Sequence, residues 1–286
     1  MISPIRVRKA TPADKDAVVA LVRAINPDDF VQHIFDDVVG SDLYVAELDG
    51  RIVACHAEDW VGPDNVFLYA MRVHPDMQGQ GVGTVYAGLQ VADAAHRGAR
   101  HLWLASAYAN KRAHRTVEKN GFANLGPWFI YEEQAAPEAL PAPGRARAGR
   151  PGDIPALEAF LERLSGQVLA DVVPARGYPY GFSYAGPGDW DLDDLVVVEG
   201  PAGLEGVMLL RTCWGEQLYV RRLEGTPEAA ADLLAYAARW GREKGLTKWC
   251  ASLPLRCEPL LAPLGWDPGK CERWYIFHRS VVDAGQ

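Results

Sequence analysis

The sequence contains no long apolar run and few cysteines. No stretch of about 18 apolar residues occurs in the 286-residue chain, so we predict no membrane-spanning helix. The first dozen residues carry several charges and lack an apolar centre, unlike a secretory signal peptide. The five cysteines form no C-x-x-C pair and no zinc-type set with histidines. We therefore predict reduced thiols, no bound metal and a cytoplasmic location, although five cysteines leave room for one disulfide.

Basic residues are scarce relative to acidic ones. The chain has 29 Lys and Arg against 37 Asp and Glu, a formal net charge of −8. Nucleic-acid binding needs clustered positive charge, so this balance predicts a protein that binds no nucleic acid. A negative surface also tolerates a cationic substrate. Hydrophobic residues make up 49% of the chain, enough for the core of one large domain or of two ordinary ones.

A change in composition divides the chain into two halves. The segment Glu132–Gly152 is rich in Pro, Ala and Gly and has no apolar period, which is typical of a linker. We therefore predict domains at residues 1–134 and 151–286, joined by a linker at 135–150. Each half begins with a strand, a proline turn and an amphipathic helix. The matching pairs are Arg6 and Arg145, Arg8 and Arg147, Pro12 and Pro151, and Asp14 and Asp153. This match favours an internal duplication.

The order of predicted elements indicates a mixed α/β fold. Asp49-Gly50 lies between two apolar runs, which is a hairpin signal. A strand at Val66–Val73, a helix at Gly81–His96 and a strand at His101–Ala105 follow, as in a strand–helix–strand crossover. The second half repeats this order. We therefore predict, in each half, a mostly antiparallel sheet with one crossover.

The most informative segment is a glycine-rich turn between this strand and this helix. The residues Gln78-Gly79-Gln80-Gly81-Val82-Gly83-Thr84 run directly into the helix. The first amides of a helix have no internal partner and carry partial positive charge, and glycines let an anion approach the backbone. We therefore predict that a pyrophosphate binds the amides of Gln78 to Thr84. The alternative is a tight turn that serves packing alone.

Two other phosphate-binding motifs disagree with this turn at specific positions. A Walker loop needs a Lys before its Ser or Thr, and here Thr84 follows Gly83 directly. A dinucleotide fingerprint needs a third glycine where Thr84 stands, and the next strand lacks a terminal Asp or Glu for a ribose. An enzyme that uses ATP or NAD therefore remains only a third hypothesis.

Several motifs resemble those of the GNAT acetyltransferase superfamily, in register across Arg6 to Tyr131. The turn matches the signature Gln/Arg-x-x-Gly-x-Gly/Ala, and Val73-His74-Pro75 matches the family's Val-x-Pro. Further on, Asn110-Lys111-Arg112-Ala113 and Glu118-Lys119-Asn120-Gly121-Phe122 match Asn-x-x-Ala and Glu-Lys-x-Gly-Phe. The resemblance implies two GNAT-like domains in tandem, with acetyl-CoA as co-substrate and an amine as acetyl acceptor.

The resemblance also implies how the coenzyme binds. The strand Val66–Val73 would carry a bulge and splay from the strand His101–Ala105, and the pantetheine arm would bond the backbone in the gap. Asn110 would contact this arm, or cap the helix that follows it, and the two roles can coexist. The implied coenzyme-binding residues are Met71, Arg72, Val73, Gln78, Gly79, Gln80, Gly81, Val82, Gly83, Thr84 and Asn110.

The general acid departs from the family's pattern. Many members place a Tyr seven residues after the Asn, and this chain has Val117 there. Tyr108 is the best substitute, ahead of Ser106 and His114, and water is an alternative proton donor.

For the general base, the sequence offers Glu58. This residue follows the predicted strand Ile52–Ala57 and would face the region where acceptors enter in the family. Asp59, Tyr69 and a base that acts through water are the alternatives.

The second half departs further from the motif. Its corresponding segment, Val220 to Pro227, keeps one glycine, Glu224 would repel a phosphate, and Pro227 has no amide hydrogen. We predict that this half is degenerate and binds no coenzyme.

The leading hypothesis is thus an N-acetyltransferase with one site, acting on a small-molecule or peptide amine. Val117 favours the alternative, a coenzyme-binding sensor without turnover. The sequence leaves the oligomeric state open, a homodimer included.

Overall fold

The protein, described by a computed structural model, forms two compact units. Described are residues 4–61, 63–135, 144–164, 172–174, 182–184, 192–213, 217–254, 257–261 and 272–281. Unit 1 comprises Met1–Ser106, Asn110–Asn124 and Phe277–Gln286. Unit 2 comprises Ala107–Ala109 and Leu125–Ile276.

These units differ from the boundaries expected from composition. Residues 125–134 group with unit 2 and residues 277–286 with unit 1, whereas the expected boundaries at 134 and 151 assign each stretch to the other half. Residues 136–143 of the expected linker lie outside the described residues. The division at 134 and 151 therefore stays a prediction.

Unit 1 consists of a sheet and the helices that connect its strands. Its strands are β1 (Arg6–Lys9), β2 (Leu43–Leu48), β3 (Arg51–Val61), β4 (Asn65–Val73) and β5 (His101–Ala107). Its helices are α1 (Lys15–Arg23), α2 (Val31–Val38), α3 (Val82–His96) and α4 (Lys111–Lys119). β1 to β4 pair antiparallel in sequence order, and β5 pairs parallel to β4. Asp49 and Gly50 both have positive φ, 52° and 76°, which confirms the predicted hairpin turn.

Unit 2 has a similar order of elements. Its strands are the 125–135 part of β6 (Ala123–Ala135), β7 (Ala146–Ala148), β8 (Val172–Pro174), β9 (Phe182–Tyr184), β10 (Leu195–Gly200), β11 (Gly203–Cys213), β12 (Gln217–Gly225), β13 (Lys248–Pro254) and the 272–276 part of β14 (Glu272–Ser280). Its helices are α5 (Ile154–Leu164), α6 (Pro227–Glu243) and α7 (Glu258–Leu261). β7, β10, β11 and β12 pair antiparallel, and β12 and β13 pair parallel across the crossover helix α6. The predicted fold class, a mixed α/β fold with mostly antiparallel strands, is confirmed.

The same capping contact opens both units. In unit 1, Arg8 donates to both oxygens of Asp14 at 2.7 and 2.8 Å, and Asp14 accepts the Thr11 amide. In unit 2, Arg147 donates to both oxygens of Asp153 at 2.7 and 2.9 Å, and Asp153 accepts the Arg150 amide. This repeated arrangement supports the proposal of an internal duplication.

No helix in the described ranges is long and apolar enough to cross a membrane. Cys55, Cys250 and Cys257 are buried thiols that form no disulfide. Burial raises the pKa of the Cys55 thiol to about 12, so this cysteine is a poor nucleophile.

Candidate active site

β4 and β5 separate in unit 1 and leave a gap between them. They pair only at Asn65–Phe67 with His101–Trp103. β4 continues to Val73 and β5 to Ala107 with no further pairing between the two strands, both of which are fully described. Because an unpaired strand edge carries backbone N–H and C=O groups, an extended ligand arm can bond there as an added strand would. The predicted splaying of these strands is confirmed, and we call this opening the β4–β5 gap.

A bulge in β4 borders the gap. Cys55 pairs with Arg72 and Ala57 with Tyr69, so one residue of β3 lies opposite two residues of β4. Ala70, in the bulge, has φ 55°, a left-handed conformation that costs a non-glycine residue about 1–2 kcal/mol. The predicted bulge is confirmed, and it redirects the backbone beside the gap.

The glycine-rich turn opens α3 with unpartnered amides. Gly79 and Gly81 have φ 80° and 83°, and Gly81 is the N-cap, without a side-chain cap. The Gln78 amide donates to the Pro75 carbonyl, and the Thr84 amide donates to the Gly81 carbonyl. Within the described part of the chain, the amides of residues 79–83 have no acceptor. The amides open to an anion are therefore those of residues 79–83, a narrower range than the predicted Gln78 to Thr84.

Side chains brace this turn from both ends. Gln78 Nε2 donates to the Val73 carbonyl at 3.0 Å, and Gln78 Oε1 accepts from Arg112 Nη1 at 2.7 Å. Gln80 Nε2 donates to the Asp76 carbonyl at 2.6 Å. Arg112 lies in the first turn of α4, so its guanidinium group reaches the rim of the open amides. Arg112 was not identified as a site residue from the sequence. Its position within the Asn-x-x-Ala motif, two residues after Asn110, is the signal that could have identified it.

Asn110 caps α4. Its Oδ1 accepts the Ala113 amide at 3.1 Å, and this cap does not use the Nδ2 donors. The capping role is confirmed, and the contact with the coenzyme stays a prediction. Val117 is buried in α4 at 6% exposure and supplies no hydroxyl group.

A family model described as "Acetyltransferase (GNAT) family" matches residues 17–122. This range contains the β4–β5 gap, the bulge, the glycine-rich turn and α4. Residues 17–122 belong to the GNAT family. The GNAT fold implies acetyl-CoA as co-substrate and acetyl transfer to an amino group.

Solved structures extend the likeness of fold to nearly the whole chain. A GCN5-related N-acetyltransferase from Sphaerobacter thermophilus is 17% identical, with a TM-score of 0.59, over 97% of this chain and 96% of that one. One from Anabaena variabilis is 13% identical, with a TM-score of 0.50, over 96% and 72%. A region of a fungal multi-domain β-N-acetylglucosaminidase, described as a glucosamine N-acetyltransferase, is 16% identical, with a TM-score of 0.57, over 98% and 38%. At these identities the likeness concerns the fold alone. No curated protein sequence matches the chain.

Glu58 of the GNAT domain lies inside β3 rather than after its end. The strand extends to Val61, beyond the predicted end at Ala57, and Glu58 is 1% exposed. Its carboxylate accepts from Arg97 at 2.6 Å, from His56 Nε2 at 3.2 Å and from Trp60 Nε1 at 3.2 Å. A carboxylate enclosed in this way does not contact a solute.

The charge state of Glu58 also disfavours a role as base. Burial opposes ionisation, but the hydrogen bonds from His56 and Arg97 outweigh it and hold the pKa of the Glu58 carboxyl below its ordinary value. An ionised carboxylate only accepts, so His56 Nε2 donates to it and His56 Nδ1 accepts from Tyr86, whose oxygen lies 2.6 Å away. Burial lowers the pKa of His56 and raises that of Tyr86. The network therefore fixes α3 to β3, and a carboxylate with three donors is a weak base.

Tyr108, the predicted general acid, is 44% exposed. Within unit 2 its ring centroid lies 5.2 Å from that of Tyr275, and its amide donates to the Arg273 carbonyl at 2.7 Å. Its catalytic role stays a prediction. The alternatives Ser106 and His114 are buried.

The corresponding turn of unit 2 is capped by a side chain. Thr226 is the N-cap of α6, and its Oγ1 accepts the Ala229 amide at 3.2 Å. Pro227 supplies no amide hydrogen. Glu224 is 7% exposed, and its Oε1 lies 3.7 Å from Arg222 Nε. A cap, a proline and a buried carboxylate thus stand where unit 1 has open amides. No group of three or more metal-ligating side chains occurs among the residues that the structure describes.

Proposed function

We propose that the protein transfers the acetyl group of acetyl-CoA to an amine in the β4–β5 gap, and that unit 2 binds no coenzyme. The observation that carries the proposal is the contrast between two helix starts. α3 begins at the glycine N-cap Gly81, with the amides of residues 79–83 unpartnered. α6 begins with the Thr226 side chain on the Ala229 amide and with Pro227, which has no amide hydrogen. The first start therefore offers more unpartnered donors to a diphosphate than the second.

The residues of unit 1 fit the two parts of coenzyme A. A diphosphate fits the amides of residues 79–83, because a Cβ atom at Gly79 or Gly81 would meet no atom beyond its chain neighbours within 4 Å and the space there is open. An extended pantetheine arm fits the unpaired edge of β4 at Met71–Val73. Asn110 and Arg112 would add side-chain donors at the same end of the gap.

The chemistry requires an unprotonated amine. Its nitrogen forms a bond to the acetyl carbon while the carbon–sulfur bond breaks, and the coenzyme leaves as a thiolate. The nitrogen then loses a proton to a base or to water. A backbone N–H group near Val73 would stabilise the developing oxyanion. A thiol with a pKa of about 8.5 is already a fair leaving group, so the loss of the usual Tyr at Val117 does not exclude turnover.

Two measurements test the proposal. Calorimetry should show one coenzyme A per chain, and thiol release from acetyl-CoA should depend on an added amine, drawn from small molecules and peptide N-termini. Coenzyme binding without thiol release on any amine would favour the sensor, the alternative that Val117 supports. Binding of ATP or NAD in place of coenzyme A would contradict both hypotheses.

A further inference from the structure

The two faces of β3 have opposite characters. Side chains alternate along a strand, so His56, Glu58 and Trp60 point to one face and Ala57 and Asp59 to the other. The first face is closed by α3. His56 contacts Tyr86 of α3, and the Glu58 carboxylate is enclosed as described above.

The second face carries Asp59 beside Tyr69. Ala57 pairs with Tyr69 and Asp59 with Phe67, so these four side chains share this face. The rings of Phe67 and Tyr69 stack with centroids 6.1 Å apart. Phe67 is buried at 2% exposure, whereas Tyr69 and Asp59 are half-buried. Tyr69 follows the last paired part of β4, so this half-open patch lies at the inner end of the β4–β5 gap.

The charges on this face leave Asp59 without a counterion. Arg72, on the same face, pairs with the buried Asp29 at 2.6 Å and lies over the ring of Phe30. Within the described part of the chain, Asp59 has no ion-pair partner, and the charge that acts on its carboxyl is another carboxylate, Asp42. Burial, and then Asp42, raises the pKa of the Asp59 carboxyl. A carboxylate in this setting is a better proton acceptor than one in water, and it attracts a cation.

The direction of acceptor approach follows from the proposed function, on which this inference rests. A diphosphate at the start of α3 lies on the α3 side, and a pantetheine arm fills the gap itself. The amine must then reach the thioester from the opposite side of the sheet, where Asp59 and Tyr69 lie.

We infer that Asp59, rather than Glu58, is the carboxylate that binds the acceptor, and that the acceptor is a primary amine whose carbon body lies against the ring of Tyr69. The amine arrives as an ammonium ion held by Asp59. One proton passes from nitrogen to the carboxylate or to an intervening water. The neutral nitrogen then bonds to the acetyl carbon as the carbon–sulfur bond breaks, the thiolate leaves, and the second proton passes from the nitrogen to the thiolate or to water. An amine with an aromatic body gains contact with Tyr69 that a small amine lacks.

The experiment compares Asp59→Asn with a matched control, Asp16→Asn, which removes the same charge from the exposed face of α1. Phenethylamine and ethylamine are the probes. Calorimetry in the presence of coenzyme A gives the Kd of each amine without turnover, and thiol release gives kcat/KM. We expect tighter binding of phenethylamine than of ethylamine to the unmodified protein. Asp59→Asn should raise the Kd of phenethylamine, and lower its kcat/KM, about tenfold or more, as for a lost charge-assisted hydrogen bond.

The controls separate this inference from the proposed function. The Kd of coenzyme A should stay within about twofold in both variants, which also shows that they fold, and Asp16→Asn should keep the amine affinity. A phenethylamine Kd equal in Asp59→Asn and Asp16→Asn, or no phenethylamine binding to the unmodified protein, would overturn the assignment. Failure of the unmodified protein to bind coenzyme A would instead overturn the proposed function. A second variant, Tyr69→Ala, should remove the preference for phenethylamine over ethylamine, and an unchanged preference would contradict the role of the ring.

Discussion

Gly81 allows the charge and the conformation of the anion site to be tested separately. Its φ is 83°, and a side chain there would extend into open space, since a Cβ atom at this position would have no atom beyond its chain neighbours within 4 Å. Any side chain therefore costs about 1–2 kcal/mol of folding free energy through backbone strain, without a clash. A carboxylate would add a negative charge beside the amides of residues 79–83.

The charge effect can be sized. Two unit charges about 5 Å apart, at an effective dielectric constant of about 20, repel by about 3 kcal/mol. Gly81→Glu should thus weaken coenzyme A binding about 100-fold relative to Gly81→Gln, which has the same shape and the same strain but no charge. The free energy of unfolding should fall by about 1–2 kcal/mol in both variants, because both carry the same backbone strain.

Calorimetry with coenzyme A and urea unfolding of the free protein measure the two effects. At high salt the difference in coenzyme A affinity between the two variants should become smaller, because salt screens the added charge. If Gly81→Glu binds coenzyme A as tightly as Gly81→Gln does at low salt, the diphosphate does not bind the start of α3 and the proposed site is wrong.

Three further predictions concern the surroundings of the site. Arg112→Ala should weaken coenzyme A binding about tenfold by calorimetry, because it removes a cation and the brace on Gln78, and unchanged affinity would contradict this role. Thr226→Ala should lower the free energy of unfolding by about 1 kcal/mol, as for a lost N-cap, while the Kd of coenzyme A stays the same; a weaker Kd would argue that unit 2 contributes to binding. Burial, and then His101, lowers the pKa of His278 to about 4, so the folded protein stays unprotonated there while the unfolded chain binds a proton below about pH 6.5. Stability should therefore fall between about pH 6.5 and 4, by on the order of 1–2 kcal/mol for this half-buried group, and His278→Gln should remove that part of the pH dependence in thermal unfolding.

The glycine-rich turn could be predicted because its signals are local. A strand, closely spaced glycines and a helix follow one another in the sequence, and the positive φ of Gly79 and Gly81 is a backbone demand that glycine meets. The bulge and the splayed strands were predicted only through the family resemblance. The narrower range of open amides could not be predicted, since it depends on which amides the local turn already uses.

Glu58 was misplaced for a different reason. Two acidic residues, Glu58 and Asp59, follow the mostly apolar run Ile52–Ala57, so the sequence predicts a strand that ends at Ala57. In the structure β3 continues to Val61, because Tyr86 and Arg97, distant in sequence, satisfy the side chains of His56 and Glu58. Partners of this kind have no local signal.

The chain's last described residues take part in unit 1. Phe277 packs its ring 5.3 Å from that of His114, Arg279 donates to the Asn120 carbonyl, and the Val281 amide donates to Arg100. During synthesis the ribosome releases the GNAT motifs long before it adds this segment. Unit 1 therefore cannot acquire all of its contacts before residues 277–281 have been synthesised, and a nascent chain that stops at residue 276 would display α4 and its cap without these contacts.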